Sequence, residues 1–545
     1  MIISFVKDLA AGSVGMRRRV SIAAFAALLP LVPPGPAISA PRADELRFAN
    51  ADDVTTLNPA LSAETTVGLL SQLTMAYLVR YDKANRPIPE LATVVPTEKN
   101  GGISSDGKTI TWHLRPDAKW SDGVPFDSSD VAFSVAAMQN PANTVVSHDG
   151  FALIERVETP NASTTVFHLK KPYAAFLPRF FGSPPGNPSL LPKHVLGALP
   201  DINKAPYNAL PIGIGPFRYV AWKRGDSVDM EANPFYFRGR PKLQKITFQV
   251  VPDDNTGLAQ IQTGELDLLI NVKPANVPRA QSIGTATVIL QPSYRFVVLA
   301  FNVSHPVLRD RAVREALRLG TDRRALLEKV NHGFGLLQAS FVPSEYEGYE
   351  ALPLAPFDLQ RANAVLEKAG WKRGADFIRT KDGQRLSIDL DTVTGAYPQY
   401  VELIRSWWTR LGVDLNTKTY ETKEFYQQPG GIAFDGKFDA TIYSIQNFPF
   451  VYPSLIYGCD RMPPNGLNLP RYCNPKLDAI MSEYETTYDA GRQQRDLTEI
   501  SRIIQEDAPT VVLNYTENAL VLSKRLRKFR PNAITYFDDM MNVDI

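Results

Sequence analysis

The side chains most able to do chemistry in this 545-residue chain are few and dispersed. Two cysteines, Cys459 and Cys473, flank a stretch rich in Pro, Asn and Gly. In an oxidising compartment such a pair reads as a loop-closing disulfide, worth roughly 3 kcal/mol by chain entropy. Two thiolates alone are too few ligands for a structural zinc site. The histidines, His113, His148, His168, His194, His305 and His332, form no i,i+4 pair, so no metal and no other cofactor is expected. Neither cysteine has a histidine beside it, and no Gly-x-Ser-x-Gly turn presents a serine nucleophile. Paired carboxylates occur at Asp52/Asp53, Asp253/Asp254 and Asp538/Asp539. Neighbours on an extended chain point to opposite sides and make poor acid–base couples. Gly213-x-Gly215 runs into Pro216, which lacks the free N–H that opens a phosphate-binding helix. The inventory favours binding over catalysis. A secreted periplasmic hydrolase acting on peptides or glycosides is the alternative.

The N-terminus carries an address. Arg17, Arg18 and Arg19 precede an apolar run, Val20 to Val32, then prolines and the small residues Ser39 and Ala40. A basic start, a short apolar core and a small-residue cut site read as a secretory signal peptide over residues 1–40, with Met1 or Met16 as the start. The run is too short to span a bilayer comfortably. No cysteine precedes Cys459, so no lipoprotein thiol is available, and periplasmic export is expected. Loss of Lys7, Asp8 and the three arginines takes the net charge from +2 to about −1. A near-neutral surface lacks the basic footprint of a nucleic-acid binder. The remaining length is too great for one core, so two or three domains are expected.

The elements that must position a site follow from periodicity. Leu46–Ala49, Thr109–Leu114, Thr165–Leu169, Phe217–Tyr219, Ser227–Glu231 and Lys245–Val251 read as strands, and residues 172–216 as long loops. From Phe296 the style changes. Phe296–Phe301 is continuously apolar, as in a strand buried on both faces. Helices start at Asp310, Asp358 and Pro398 and stop at Gly320, Gly370 and Gly412. The third puts Val401, Ile404, Trp408 and Leu411 on one stripe, with Trp407 about 100° off it. Strands follow at Val413–Thr419 and Phe438–Ile445, then helices through Leu477–Tyr484 and Leu497–Ile504, then a strand at Pro509–Leu513. Such alternation argues an α/β second half.

The run from Trp112 to Phe126, Trp-His-Leu-Arg-Pro-Asp-Ala-Lys-Trp-Ser-Asp-Gly-Val-Pro-Phe, continued by Ser129-Asp130-Val131, resembles the signature of the family 5 extracellular solute-binding proteins. These are the oligopeptide-, dipeptide- and nickel-binding components of bacterial ABC importers. Tyr77–Asp82, Pro89–Ala92, Pro211–Phe217, Asn233–Pro241, Gly264–Asp267, Phe301-Asn302, Arg314–Leu317 and Asp322-Arg323 resemble further blocks in the same order. The resemblance implies an α/β fold of the two-lobed periplasmic-binding-protein type II kind (large, cluster C), with an added β-rich subdomain and a hinge. Residues 41–88, 206–296 and 510–545 are expected to form lobe I, 89–205 the subdomain and 297–509 lobe II. The lobes would be joined by strands near 295–302 and 505–513, and Trp112 and Trp120 would serve packing.

The implied function is capture of a small solute or peptide by hinge closure and delivery to ABC transporter membrane permease subunits. The protein is expected to be a monomer with no nucleic-acid partner. In peptide-binding relatives an Asp after the Phe438–Ala440 strand pairs with the free amine; here Tyr443-Ser444-Ile445-Gln446-Asn447-Phe448 has no acid. Asp391 stands near the position of a carboxylate-binding Arg. A cationic, sugar-like or blocked-peptide solute is therefore expected. Its contacts are expected to come from Asn302, Asp391, Trp407, Tyr420, Tyr443, Gln446, Asn447 and Phe448. If the leader is cleaved as read, mass spectrometry of the exported protein will give a start near Pro41 and no free thiol. An intact Met1 would contradict the export reading, and two reactive thiols would contradict the disulfide.

Overall fold

The computed structural model describes residues 44–82, 86–146, 148, 150–182, 188–346, 349–427, 429–447, 450–532 and 535–545. The leader segment, residues 1–40, lies outside them, as does Phe448. Ten strands form one mixed sheet. They are β1 (Glu45–Asn50), β2 (Phe217–Lys223), β3 (Ser227–Ala232), β4 (Lys245–Val250), β5 (Leu268–Val272), β6 (Ala286–Phe301), β7 (Ser387–Val393), β8 (Asp414–Tyr420), β9 (Ala440–Gln446) and β10 (Thr510–Ser523). Their order is β8-β7-β9-β6-β10-β5-β1-β4-β3-β2. The helices that matter here are α1 (Ser128–Gln139), α2 (Arg311–Leu319), α3 (Leu359–Lys368), α4 (Pro398–Leu411), α5 (Pro475–Thr486) and α6 (Ala490–Asp507).

Two strands in the middle of this sheet are unusually long, and their two ends serve different cores. Ala286–Pro292 of β6 pairs with Ser523–Glu517 of β10, and Phe296–Ala300 pairs with Tyr515–Thr510. Between these blocks the register shifts, at Pro292/Phe296 and again at Val297/Val298. Pro292 cannot donate to a ladder, which explains why the pairing slips there. On one side of the slip, Ile289, Leu520 and Leu522 pack with Leu46, Phe48 and Phe248. On the other, Val297, Leu299, Phe301, Val511 and Leu513 pack with Ile404 and Trp408. The opposite face of this second block, Phe296, Val298, Val512 and Tyr515, packs with Tyr457, Met481 and Tyr484. Phe296 stacks on Tyr515 at 5.1 Å. The Phe296–Phe301 run is therefore apolar throughout because both its faces are covered. The sequence showed this half of β6 and missed Ala286–Ser293, where Gln291, Pro292 and Ser293 interrupt the apolar run.

The β-rich subdomain stands on a three-stranded antiparallel sheet, Thr109–His113, Thr164–Leu169 and Ile154–Asn161, closed by α1. Trp112 and Trp120 are fully buried in its core with Phe167, Phe176 and Phe180. Trp120 Nε1 donates to Asp130 Oδ2 at 3.1 Å, and the other oxygen of Asp130 accepts from Lys193 N at 2.9 Å. Asp130 also closes a capping box with Asp127 at the start of α1. The signature motif thus builds the subdomain. Its core also takes in Leu78, Val79, Tyr81 and Ile214, so the packing reaches beyond 89–205.

Gly213 and Gly215 serve close approach. A Cβ on Gly213 would collide with the carbonyl oxygen of Thr74, and one on Gly215 would stand 2.5 Å from its carbonyl carbon. Gly213→Ala should cost about 1–3 kcal/mol, the range for overpacking a filled site. Urea denaturation checks this, and an unchanged midpoint would refute the contact.

Candidate functional site

The C-terminal ends of β7 and β9 run toward the slip between the two pairing blocks. Gln446, at the end of β9, stands opposite Arg295, and its Oε1 accepts from Arg295 Nε at 3.4 Å. Asn447 N donates to Tyr294 O at 2.9 Å, and Asn447 Nδ2 donates to Phe341 O at 2.7 Å. Phe450, a few residues on, stacks on Tyr484 of α5 at 4.9 Å. It packs both against the subdomain core and against the α5–α6 core. Phe450 therefore stands between the subdomain core and the α5–α6 core.

Beyond Phe450 this chain forms one wall of a cavity of about 430 Å³, large enough for a small solute. The β-rich part supplies His148, Gly150, Ala152, Leu153 and Lys171–Tyr173; the second half of the chain supplies Tyr452, Ser454, Gly458, Asp460, Arg461 and residues of α5 from Asp478 to Thr486. The disulfide Cys459–Cys473 holds the Asp460–Arg461 part of the wall. Cys459 N also donates to the Asp478 carboxylate at 3.2 Å. Charges of both signs line the space. Burial pushes the Glu485 carboxyl up to about 7, against the pull of the Ser454 hydrogen bonds and of nearby Arg461 and Lys171. Ser454 N donates to Glu485 Oε1 at 3.3 Å. Burial also raises Asp478 above the usual carboxylate range. A cavity with two flat rings, Tyr173 and Tyr452, meeting edge-on at 6.4 Å, and mixed charge suits a polar solute carrying cationic and anionic groups.

The residues singled out in the sequence fall into separate places. Gln446 and Asn447 lie at the strand end described above. Asp391, Tyr420 and Tyr443 share one face of β7, β8 and β9, where Val393, Tyr420 and Tyr443 pack with the Phe425 cluster. Asn302 needs correction. Because β6 runs antiparallel to β9, Asn302 meets the start of β9 rather than its end. Its Nδ2 donates to Gly436 O and Phe438 O, and its Oδ1 accepts from Ser304. Its side chain pins a turn. Trp407 also needs correction. It is 8 % exposed and lies 5.7 Å from the Phe357 ring within the lobe II core. Packing on both flanks of α4 buries the off-stripe position as well. The cavity residues Lys171, Tyr452, Arg461 and Glu485 were not found from sequence. They come from segments about 300 positions apart, and no periodicity or motif joins them.

Asp391 is 1 % exposed, and its Oδ1 has no hydrogen-bond partner. Thr441, its register neighbour on β9, is equally buried with an unpartnered hydroxyl. Burial, then the charge of Asp389, push the Asp391 carboxyl up to about 7, against the pull of Lys418. A carboxyl whose folded pKa is raised costs stability above that value and costs nothing below its ordinary range. Asp391→Asn should therefore gain stability relative to the parent as pH rises from about 4 to about 7, with a constant difference above. Urea midpoints across pH test this; a pH-independent difference would contradict it.

Among the described residues no helix is long and apolar enough to cross a membrane. Comparison with known proteins is consistent along the chain. The oligopeptide-binding protein AppA of Bacillus subtilis is 25 % identical over 507 residues, 90 % of each chain. The nickel-binding periplasmic protein of Escherichia coli is 28 % identical over 500 residues, 88 % of this chain and 90 % of its own. Among solved structures, AppA of Bacillus subtilis with a nonapeptide superposes with a TM-score of 0.74 at 23 % identity, covering 92 % of this chain and 98 % of its own. NikA of Brucella suis with Fe(III)-EDTA gives 0.77 at 24 % identity, covering 92 % and 99 %. Residues 86–461 match the profile of the bacterial extracellular solute-binding proteins, family 5. With the two-lobed sheet and the cavity between its parts, that match establishes that the chain belongs to the family 5 extracellular solute-binding proteins, the solute-capturing components of ABC importers.

Proposed function

We propose that this protein captures a small peptide-like or otherwise zwitterionic solute between its lobes, outside the cytoplasm, and hands it to the permease subunits of an ABC importer. The observation that carries the solute class is the mixed charge of the cavity, with Glu485 and Asp478 facing the same space as Lys171 and Arg461. An ammonium group would pair with Glu485, and a carboxylate with Lys171 or Arg461. The names of the relatives, peptide- and nickel-binding proteins, are consistent with such a solute, and they support binding rather than the hydrolase alternative. Closure turns on the slip between the two blocks of β6 and β10, because only the closed form lets both walls touch the solute. Gln446 and Asn447, at the end of β9, are proposed as the inner boundary of the cavity. The protein acts as a monomer, exported with its leader removed.

A thermal-shift panel of peptides of two to nine residues and of nickel–histidine complexes identifies the solute, since a tight ligand stabilises the folded form by mass action. Absence of a shift across the panel would refute the solute class. For a peptide that binds, Glu485→Gln should weaken affinity about tenfold, the lower range for a hydrogen bond to a charged group. An ammonium needs the ionised carboxylate, so affinity of the parent should fall as pH drops through about 7, and the Gln variant should lose that dependence. Calorimetric titration at several pH values tests this, and matching profiles for the two proteins would remove Glu485 from the site.

A further inference from the structure

The two walls of the cavity touch each other directly, and the contact is specific. Ala174 N of the subdomain donates to Glu485 O, at the C-terminal end of α5, at 2.8 Å. Just past α5, the Tyr488 hydroxyl accepts from Tyr173 N at 3.2 Å and donates to Gly107 O at 3.0 Å. One phenol oxygen therefore ties two subdomain segments, the Ser104–Lys108 turn and the Tyr173–Phe176 segment, to lobe II. The Phe176 ring meets the Tyr488 ring edge-on at 5.8 Å. Gly107 has φ +66°, and a Cβ there would stand 2.9 Å from the Tyr488 ring. The turn thus presents bare backbone where the ring lies. Around this contact, Tyr452 of lobe II receives the edge of Tyr173 and the guanidinium of Arg179 at 5.9 Å. None of these groups belongs to β6 or β10, the strands that connect the lobes.

From this geometry we infer that Tyr488 is a closure latch. It holds the subdomain against lobe II by protein–protein contacts alone, so the closed form is populated before solute arrives, and it positions the cavity walls rather than binding solute. A hydroxyl that both accepts and donates across the gap meets these two protein partners only in the closed form, which gives the latch its directionality. Opening exchanges those bonds for water, so the bias is modest and leaves the lobes free to separate.

The test uses the full exported chain with no solute present. Spin labels are placed at introduced cysteines replacing Lys119 on the subdomain and Lys372 on lobe II. Both positions are exposed, and the native cysteines are joined to each other and take no label. Pulsed dipolar spectroscopy should show a major short-distance population in the parent. Tyr488→Phe keeps the ring and deletes the hydroxyl. It should raise the ratio of long- to short-distance populations roughly tenfold, as expected for loss of two hydrogen bonds. Tyr488→Ala should raise it further, with both variants melting within a few degrees of the parent. Identical distance distributions in the parent and Tyr488→Phe would overturn the latch, as would a parent found entirely in the long-distance population. Because solute is absent, failure here leaves the peptide-like solute reading standing, and failure of the thermal-shift panel leaves the latch standing.

Discussion

Everything in this molecule hangs on the pairing of β6 with β10. A continuous ladder would make the ten-stranded sheet one stiff object, and a broken one would leave two domains on a tether. The chain does neither. Two well-paired blocks, each buried in its own core, are separated by a slip at Pro292–Phe296 where a ladder donor is missing. The slip is supported by side chains rather than left empty: Ser293 Oγ bonds Thr516 Oγ1 at 2.7 Å, and Phe296 stacks on Tyr515. A bend concentrated at a few residues, between blocks that stay rigid, is the requirement for hinge motion that does not cost a core.

The other consequences follow from where that slip points. β7 and β9 end toward it, and beyond β9 Phe450 packs against both the subdomain core and the α5–α6 core, while Tyr452 packs against the subdomain core. The disulfide then closes the loop that carries Asp460 and Arg461, fixing their backbone on the cavity wall. Here Asp478 accepts from the Cys459 backbone and Glu485 from that of Ser454, which holds the two carboxylates in place. Burial of Glu485 raises its carboxyl to about 7.

Much of the fold could be read from the sequence because it rests on local signals. Caps at Asp310 and Asp358, with Gly320, Gly370 and Gly412 just past helix ends, placed α2, α3 and α4 within a residue or two of where they stand. The Trp112–Phe126 motif and the Asp130 that follows it build the subdomain core, with Trp112 and Trp120 buried and Trp120 Nε1 donating to Asp130. The first half of β6 escaped because Pro292 and its polar neighbours mask a strand whose partner lies more than 200 positions away. Of the residues singled out for the site, Gln446 and Asn447 stand at the end of β9, beside Arg295 and Tyr294. Asn302 and Trp407 misled for opposite reasons: a polar side chain beside a strand was spent on backbone carbonyls, and a tryptophan off the apolar stripe was covered from its flank by Phe357. The charged cavity is a purely tertiary product, assembled from residues 148–173 and 452–486.

The central claim is that one solute engages both walls while the paired blocks of β6 and β10 stay intact. Hydrogen–deuterium exchange on the protein with and without the solute found by thermal shift tests it most directly. The account predicts simultaneous protection of residues 150–153 and 171–176 in the subdomain and 452–461 and 478–488 in lobe II, with unchanged slow exchange in Ala286–Pro292 and Phe296–Ala300. Protection confined to one wall, or solute-dependent loosening of either paired block, would contradict it.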